Sequence, residues 1–305
     1  MRRSSRYPAA AVFLAVLLAA VPSAAQQPKV FRIVLVPERN IFDQEQKYRN
    51  LCDHLCSVLP VRVVFEVLQG YEEVMVEIET GTAQGAVLGS FLMAHGIARH
   101  DFIPLARPAW NTGDSFYRSY IFKRTQSPIT EDVGSWKGKS FAFANRHTSA
   151  GYFFPLAVLR DQGVQRGEDH FSKVQVTGSH DTAVWVVASG LADIGAAKST
   201  VFDEMMASRP GLADKIQVLR TGGRFPDATF VVNPRVEAEM RDALKNALLD
   251  LSTTPQGKAV LERFGASRFV PSEAGDYDDV FRVIEAAGFD IYKLPITTQD
   301  LETGR

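Results

Sequence analysis

Three segments of this sequence place small or hydroxyl residues directly after a predicted strand and directly before a predicted helix. They are residues 145–151 after the strand at 141–144, residues 177–181 after the strand at 174–176, and residues 89–90 after the strand at 86–88. In open α/β sheets, ligands bind at the carboxyl ends of strands. There the first turn of a helix presents unpaired N–H groups and the positive end of its dipole. The pattern therefore predicts a site for a small anion.

The segment Thr148, Ser149, Ala150 and Gly151 combines two hydroxyl donors with two small residues, and His180 stands at the start of the second helix. A hydrogen bond to a charged oxygen contributes about 1.5–3 kcal/mol, so four or five would hold a small oxyanion without an arginine. Two other interpretations stay open. Thr148 and Ser149 are residue types that cap helices, and a lone His180 is commonly a hydrogen-bonded structural residue.

The sequence offers little for catalysis or for metal binding. It contains no Gly-x-Ser-x-Gly motif, and no pair of glutamates stands out as an acid/base couple. His95 and His100 are five residues apart, which places them on different faces of a helix and disfavours a shared metal. We therefore expect that the protein is not an enzyme and that it needs no cofactor and no metal.

Composition and charge exclude several further classes. The chain has 305 residues, 46% of them hydrophobic and 23% charged, which is typical of a globular protein. A formal net charge of -1 provides no basic field for nucleic acid. Cys52 and Cys56 are four residues apart on a predicted helix, a geometry that suits a disulfide poorly. We expect both to be buried thiols of the core.

Predicted strands and helices alternate along the chain. The strands are at residues 30–36, 61–68, 86–88, 117–123, 140–144, 174–176, 194–197 and 229–232. The helices are at residues 44–59, 71–80, 91–98, 152–162, 182–189, 236–251, 255–264 and 276–287. This alternation predicts an α/β fold with parallel sheets and helices on both faces.

The chain is long enough for about two domains at ~150 residues each. Because no Pro/Gly-rich linker divides it, we expect one domain to be inserted into the other, with crossings near residues 121–124 and 221–225. The first lobe then comprises residues 26–122 plus 224–305, and the second comprises residues 123–223.

The N-terminus has the pattern of a secretory signal peptide. Arg2, Arg3 and Arg6 precede an apolar run at residues 9–21, and small residues follow up to Ala25. The run is shorter than the ~20 residues of a membrane span. We expect residues 1–25 to be a signal peptide cleaved after Ala25, leaving a soluble periplasmic protein without stable membrane insertion. An uncleaved anchor is the alternative.

From about residue 30 to residue 270 the sequence resembles the periplasmic phosphate/phosphite/phosphonate-binding proteins of ABC importers. The segments that carry the resemblance are residues 33–38, 70–71, 87–89, 104–106, 117–119, 136–143, 148–152, 178–181, 191–196, 225–227 and 255–258. Each is weak alone, whereas the set in this order is specific. The resemblance implies a type II periplasmic binding protein, in which two Rossmann-like lobes enclose a ligand cleft.

The resemblance also implies roles for individual residues. The family's Ser-Thr-Ser-Gly anion loop corresponds to residues 148–151, where Ala150 departs from the pattern and offers only its backbone N–H. The family's loop histidine, its two pocket tyrosines and its aspartate on the return crossing correspond to His180, Tyr71, Tyr117 and Asp227. Asp227 would share a proton with the ligand and so favour protonated oxyanions over sulfate. From the sequence alone, Asp227 is equally a turn residue after a proline, and Tyr71 an ordinary first residue of a helix.

The implied function is capture of a phosphorus oxyanion by hinge closure and delivery to an ABC permease and its ATPase, as a monomer. The alternatives are the periplasmic sensor partner of a membrane signalling receptor and, third, an exported enzyme.

Relatives that take aminoalkyl phosphonates place a carboxylate after the strand at 194–197. Here Thr200 stands in that place, with Lys198 just before it. We therefore expect phosphate, phosphite or a small unsubstituted phosphonate to bind better than 2-aminoethylphosphonate. A shift of the alignment would bring Asp203 or Glu204 into that place instead.

Overall fold

The computed structural model describes residues 29–296 and has an α/β architecture built on two separate sheets. The expected signal peptide, residues 1–25, lies outside the described residues. The strands are β1 (Val30–Leu35), β2 (Arg62–Val67), β3 (Gly85–Leu88), β4 (Ile103–Trp110), β5 (Phe116–Arg124), β6 (Ser140–Phe143), β7 (Lys173–Val176), β8 (Ile194–Lys198), β9 (Ile216–Pro226), β10 (Thr229–Val232) and β11 (Ala266–Pro271).

The helices are α1 (Ile41–Val58), α2 (Tyr71–Thr80), α3 (Ser90–His100), α4 (Phe154–Asp161), α5 (His180–Ala188), α6 (Ser199–Ser208), α7 (Pro210–Ala213), α8 (Ala238–Leu249), α9 (Pro255–Phe264) and α10 (Asp278–Ala286). Eight of these ten helices correspond to predicted ones, and α6 and α7 were not predicted. A π-helical turn at Ser149–Phe153 leads directly into α4. None of the helices within residues 29–296 is long and apolar enough to cross a bilayer.

Both sheets are mixed, so the expectation of parallel sheets is only partly correct. The first sheet has the order β11-β4-β10-β3-β1-β2, and the second has the order β7-β6-β8-β5-β9. β1, β2 and β3 are parallel, as are β6, β7 and β8, but β5 and β9 are antiparallel to each other, and so are β4 and β10. The chain leaves the first sheet along β4 and returns along β10, and it enters the second along β5 and leaves along β9. Strands that carry the chain in opposite directions pair antiparallel when they are neighbours.

The chain changes sheet at residues 111–115 and again at residues 227–228. The expected crossings near residues 121–124 and 221–225 were therefore misplaced, because those residues lie inside β5 and β9 of the second sheet. A β-branched and aromatic run predicts a strand but does not show which sheet it joins. Below, lobe 1 denotes the first sheet with α1–α3, α8 and α9, and lobe 2 denotes the second sheet with α4–α7. Helix α10 packs against α3 of lobe 1 and α4 of lobe 2, so it belongs to neither lobe alone.

The apolar core is continuous between the lobes. One cluster of buried side chains includes Val34 and Phe91 of lobe 1, Phe141 and Phe153 of lobe 2, and Ile284 of α10. Two further clusters fill the outer sides, one under α1, α8 and α9 and one under α5 and α6. The lobes therefore meet through packed side chains behind the cleft.

The two cysteines depart from the expected burial. Both are free thiols, but Cys52 is only half-buried and Cys56 is exposed. The buried face of α1 runs through Gln44, Tyr48, Leu51 and Leu55, so the cysteines flank this face instead of lying on it.

Candidate functional site

Five helical segments begin with a buried residue at the face where the two lobes meet. These first residues are Tyr71 of α2, Ser90 of α3, Ser149 of the π-helical turn, His180 of α5 and Ser199 of α6. A helix start presents unpaired N–H groups and positive dipole potential. Two of the segments belong to lobe 1 and three to lobe 2, so closure of the lobes brings these starts together as a setting for an anion.

Hydroxyl groups link the two lobes across this face. Ser90 Oγ lies 2.5 Å from the Tyr117 hydroxyl and 2.8 Å from Ser149 Oγ. The Thr148 hydroxyl donates to the carbonyl of Asn145 at 2.8 Å, and neither Thr148 nor Ser149 makes a helix-capping hydrogen bond. The capping interpretation of these two hydroxyls is therefore not what the structure shows.

The segment at residues 148–151 is shaped by close packing. The Phe153 N–H donates to the Thr148 carbonyl at 3.2 Å, which gives the wider turn of a π-helix, a form common at functional sites. A Cβ at Gly151 would lie 2.6 Å from Ala144 Cβ and 3.2 Å from His180 Cε1, so only glycine fits. The ring of His180 therefore lies directly against this turn.

The tautomer of His180 follows from its hydrogen bond. Its Nδ1 accepts from the backbone N–H of Lys198 at 3.3 Å, which places the proton of a neutral ring on Nε2. Burial, reinforced by the charge of Lys198, lowers the pKa of His180 to about 3. His180 is therefore neutral near pH 7, and its Nε2–H is a donor.

Tyr71 carries a hydroxyl that is buried without a hydrogen-bond partner within residues 29–296. Burial raises the pKa of Tyr71 well above its usual value, so the group keeps its proton. Burial also raises the pKa of Tyr117. An unpaired buried hydroxyl costs about 1–3 kcal/mol, which is a reason to look for a ligand that accepts from Tyr71.

A buried lysine lies beside these donors. Lys198 Nζ is 2.5 Å from Asp227 Oδ1 and 3.0 Å from both carboxylate oxygens of Glu38. Burial opposes charge on the lysine, but Asp227 and Glu38 raise the pKa of Lys198 above its usual value. Burial likewise opposes charge on Asp227, and Lys198 lowers the pKa of that carboxyl. The three groups form a charged cluster, named the Lys198 cluster below.

The remaining acceptor positions of Asp227 are also engaged. Its Oδ2 accepts from Trp110 Nε1 at 2.6 Å, and its Oδ1 accepts from the Ala228 N–H at 2.5 Å. Asp227 is fully buried. The carboxylate of Asp227 is thus directed at Lys198, Trp110 and its own turn, and the sharing of a proton with a ligand stays a prediction.

The segment that follows β1 joins lobe 1 to lobe 2. Arg39 Nη1 is 2.6 Å from Glu204 Oε1, and the Asn40 N–H donates to Asp181 Oδ2 at 3.2 Å. Together with the Glu38–Lys198 pair, these contacts link the two lobes directly. Glu204 is thus paired with Arg39, and Asp203 accepts from the Tyr120 hydroxyl at 3.4 Å, so neither joins the Lys198 cluster.

A cleft of about 2070 Å³ opens between the lobes beside the Lys198 cluster. Its lining includes Glu38, Tyr117, Lys198 and the half-buried Thr200. The position expected to carry a carboxylate in amine-binding relatives is therefore on the wall of the cleft. Among residues 29–296, no group of His, Cys, Asp and Glu side chains could hold a metal ion.

The structure brings most of the predicted site residues to one place. Tyr117 and Ser149 are linked through Ser90, and Thr148, Ala150 and His180 surround the π-helical turn. Sequence reasoning missed Glu38, Lys198 and Trp110 as parts of the site. A signal for two of them was present, since Glu38 follows β1 and Lys198 ends β8, at the same carboxyl ends of strands that revealed the hydroxyl segments.

Comparisons with known proteins agree with this geometry. The sequence model of the family described as ABC transporter, phosphonate, periplasmic substrate-binding protein matches residues 33–277. A probable ABC transporter phosphite binding protein of Prochlorococcus marinus is 24% identical over 149 residues, or 47% of this chain and 50% of that protein. A phosphate-import protein of Mycolicibacterium smegmatis is 23% identical over 278 residues, or 86% of this chain and 87% of that protein. The chain thus spans about half the length of the first relative and most of the second.

A solved structure shows the same fold. The Prochlorococcus marinus protein in complex with methylphosphonate has a TM-score of 0.75 at 20% identity, covering 86% of this chain and 99% of that chain. Two mixed sheets with helix starts facing a shared cleft define a type II periplasmic binding protein. The chain belongs to the family of periplasmic substrate-binding proteins of phosphonate ABC transporters. The resemblance inferred from the sequence is thereby confirmed, and nothing in the comparisons favours a sensor role.

Proposed function

We propose that this protein binds a small phosphorus oxyanion without an amino group, such as phosphate, phosphite or methylphosphonate. The observation that carries this proposal is a set of buried donors contributed by both lobes. The Tyr71 hydroxyl is unpartnered, the neutral His180 ring has an Nε2–H to donate, and helix starts from both lobes supply N–H groups and positive potential. The names of the two relatives, which refer to phosphite and phosphate, support the same ligand class.

Delivery of the ligand completes the proposed role. The closed lobes would present the bound oxyanion to a membrane permease that is driven by an ATPase, with this protein acting as a monomer. Residues 1–25 would direct export to the periplasm and be removed after Ala25. The family supports this role, because its members are substrate-binding components of ABC transporters.

Ligand binding should stabilise the folded protein. Because the pocket is shared by two lobes, only the folded chain forms it, and a ligand at 100 times its Kd should add about 2.7 kcal/mol to the free energy of unfolding. We expect millimolar phosphate, phosphite or methylphosphonate to raise the melting temperature of the mature protein, measured by differential scanning fluorimetry, and sulfate to have a smaller effect. If none of the three raises the melting temperature, the proposed ligand class is wrong.

Removal of the Tyr71 hydroxyl should separate binding from folding. In Tyr71→Phe the unpaired buried hydroxyl is lost, so we expect the ligand-free protein to be as stable as the wild type or more stable. Ligand affinity, measured by titration calorimetry, should fall by about 1–3 kcal/mol, because one hydrogen bond to the oxyanion is lost.

Tyr277→Phe is the matched control for this change. The Tyr277 hydroxyl is also buried, but it bonds to Thr229 Oγ1 at 2.6 Å and Ser272 Oγ at 3.2 Å. This variant should lose about 1 kcal/mol of stability and keep its ligand affinity. If Tyr71→Phe and the wild type bind the ligand with equal affinity, the Tyr71 hydroxyl does not bind the ligand.

A further inference from the structure

The Lys198 cluster joins one cation of lobe 2 to one carboxylate of lobe 1 and one carboxylate at the return crossing between the lobes. Glu38 follows β1, Asp227 lies between β9 and β10, and Lys198 is the last residue of β8. The lysine side chain is only 3% exposed, and those of Glu38 and Asp227 are 15% and 0% exposed. Three oxygen atoms within 3.0 Å of Nζ match the three N–H donors of an ammonium group.

Such an arrangement is a binding site for a primary ammonium group, and the ammonium of Lys198 already occupies it. A buried and a half-buried carboxylate without a cation would repel each other and lose solvation, so the pair requires a cation. The ammonium that meets this requirement here is part of the chain. A ligand ammonium that entered this subsite would have to displace Lys198 and leave the charge of the lysine buried without a partner.

We infer that Lys198 is a specificity-determining residue, an ammonium supplied by the chain that occupies a two-carboxylate subsite and so excludes aminoalkyl phosphonates. This inference rests on the proposed function. It gives a different reason for the expected preference for ligands without an amino group. The lack of a carboxylate at Thr200 is then not the cause of the preference. Two carboxylates that could neutralise a ligand amine are present, but Lys198 occupies them. Replacing the lysine by a short side chain should expose the subsite.

The first test uses a small amine in place of the lysine side chain. Lys198→Ala removes the equivalent of n-propylammonium, so 50 mM n-propylammonium chloride at pH 7 should raise the melting temperature of this variant by at least about 2 °C. Tetramethylammonium chloride at equal concentration should leave the melting temperature of this variant unchanged, because its cation has no N–H donor. The wild type and Lys198→Met, which retain a side chain in the subsite, should respond to neither salt.

A double variant that also changes one carboxylate shows where n-propylammonium binds. In Lys198→Ala/Glu38→Gln, one of the two carboxylates is neutral, so the response to n-propylammonium should be smaller than in Lys198→Ala. An undiminished response would place the amine elsewhere and overturn the inference. Absence of any specific response in a folded Lys198→Ala would overturn it as well.

The second test measures specificity by titration calorimetry with ethylphosphonate and 2-aminoethylphosphonate. The wild type should bind ethylphosphonate at least about 10-fold more tightly, and in Lys198→Ala the ratio should shift by at least about 10-fold towards the aminated ligand. If Lys198→Ala does not fold, the wild type still decides, because equal or tighter binding of 2-aminoethylphosphonate would overturn the inference. If the wild type binds neither these phosphonates nor phosphate or phosphite, the proposed function fails instead, and the n-propylammonium response of Lys198→Ala remains a separate result.

Discussion

Replacing Asp227 by asparagine should lower the free energy of unfolding by about 3–5 kcal/mol, the largest effect we expect from a single conservative change. Lys198 would keep Glu38 as a partner but lose the carboxylate that lies 2.5 Å from its Nζ. Removal of one member of a buried ion pair leaves the other charge without full compensation. The loss should appear as a lower urea midpoint, with the slope of the transition unchanged.

The amide also creates a conflict that the carboxylate avoids. Asp227 accepts hydrogen bonds on both oxygens, from Lys198 and Ala228 on Oδ1 and from Trp110 Nε1 on Oδ2. An asparagine has one oxygen, so in either orientation its NH₂ group faces a donor. An unpaired buried donor lowers the free energy of unfolding by about 1–3 kcal/mol more. Asparagine is therefore destabilising here although it has the same shape as aspartate.

An exposed aspartate provides the comparison. Asp290 pairs with Lys293 at 2.9 Å on the surface, so Asp290→Asn should change stability little. If Asp227→Asn were as stable as Asp290→Asn, the Lys198 cluster would not be a significant source of stability. The ligand affinity of Asp227→Asn should be measured at a temperature where the variant is fully folded.

Local sequence patterns predicted most of the secondary structure and several of the side chains that meet at the candidate site. α2 begins and ends where predicted, because the helical pattern is followed by Gly81, which adopts the left-handed conformation at φ 82°. β4, β9, β11, α6 and α7 were not predicted. β4 contains two prolines, and β9 contains two adjacent glycines, residues that are depleted in strands and weaken the pattern.

Pairing between distant residues set the limit of sequence reasoning. The π-helical turn and His180 could be found because each lies at a strand–helix junction that is visible within a few residues. The Lys198 cluster could not, because its members at positions 38, 198 and 227 come from two lobes and meet only after both sheets have formed. The sequence also did not show that Asp227 forms an ion pair with Lys198.

Acid should destabilise this protein through His180 by about 3 kcal/mol between pH 7 and pH 4. In the folded state burial lowers the pKa of His180 to about 3, whereas an unfolded histidine has its usual value of 6.5. The unfolded chain therefore binds more protons between these two values, so stability falls as the pH falls from 6.5 towards 3. Each pKa unit corresponds to about 1.4 kcal/mol, and pH 4 lies roughly 2.5 units below the unfolded value.

Two variants of His180 test this prediction and the donor role together. In His180→Asn the Oδ1 can still accept from the Lys198 N–H, but the Nε2–H donor is lost, whereas His180→Gln places its amide NH₂ nearer the former Nε2. Neither variant titrates, so urea unfolding at pH 7, 5 and 4 should show a shallower loss of stability than the wild type. The half-buried His147, whose pKa is also lowered by burial, is present in all three proteins and cancels from the comparison. Parallel stability curves would mean that His180 has the same pKa in the folded and the unfolded state. At pH 7, His180→Asn should bind phosphonate more weakly than His180→Gln, because a neutral histidine at this position acts on the oxyanion through Nε2–H alone.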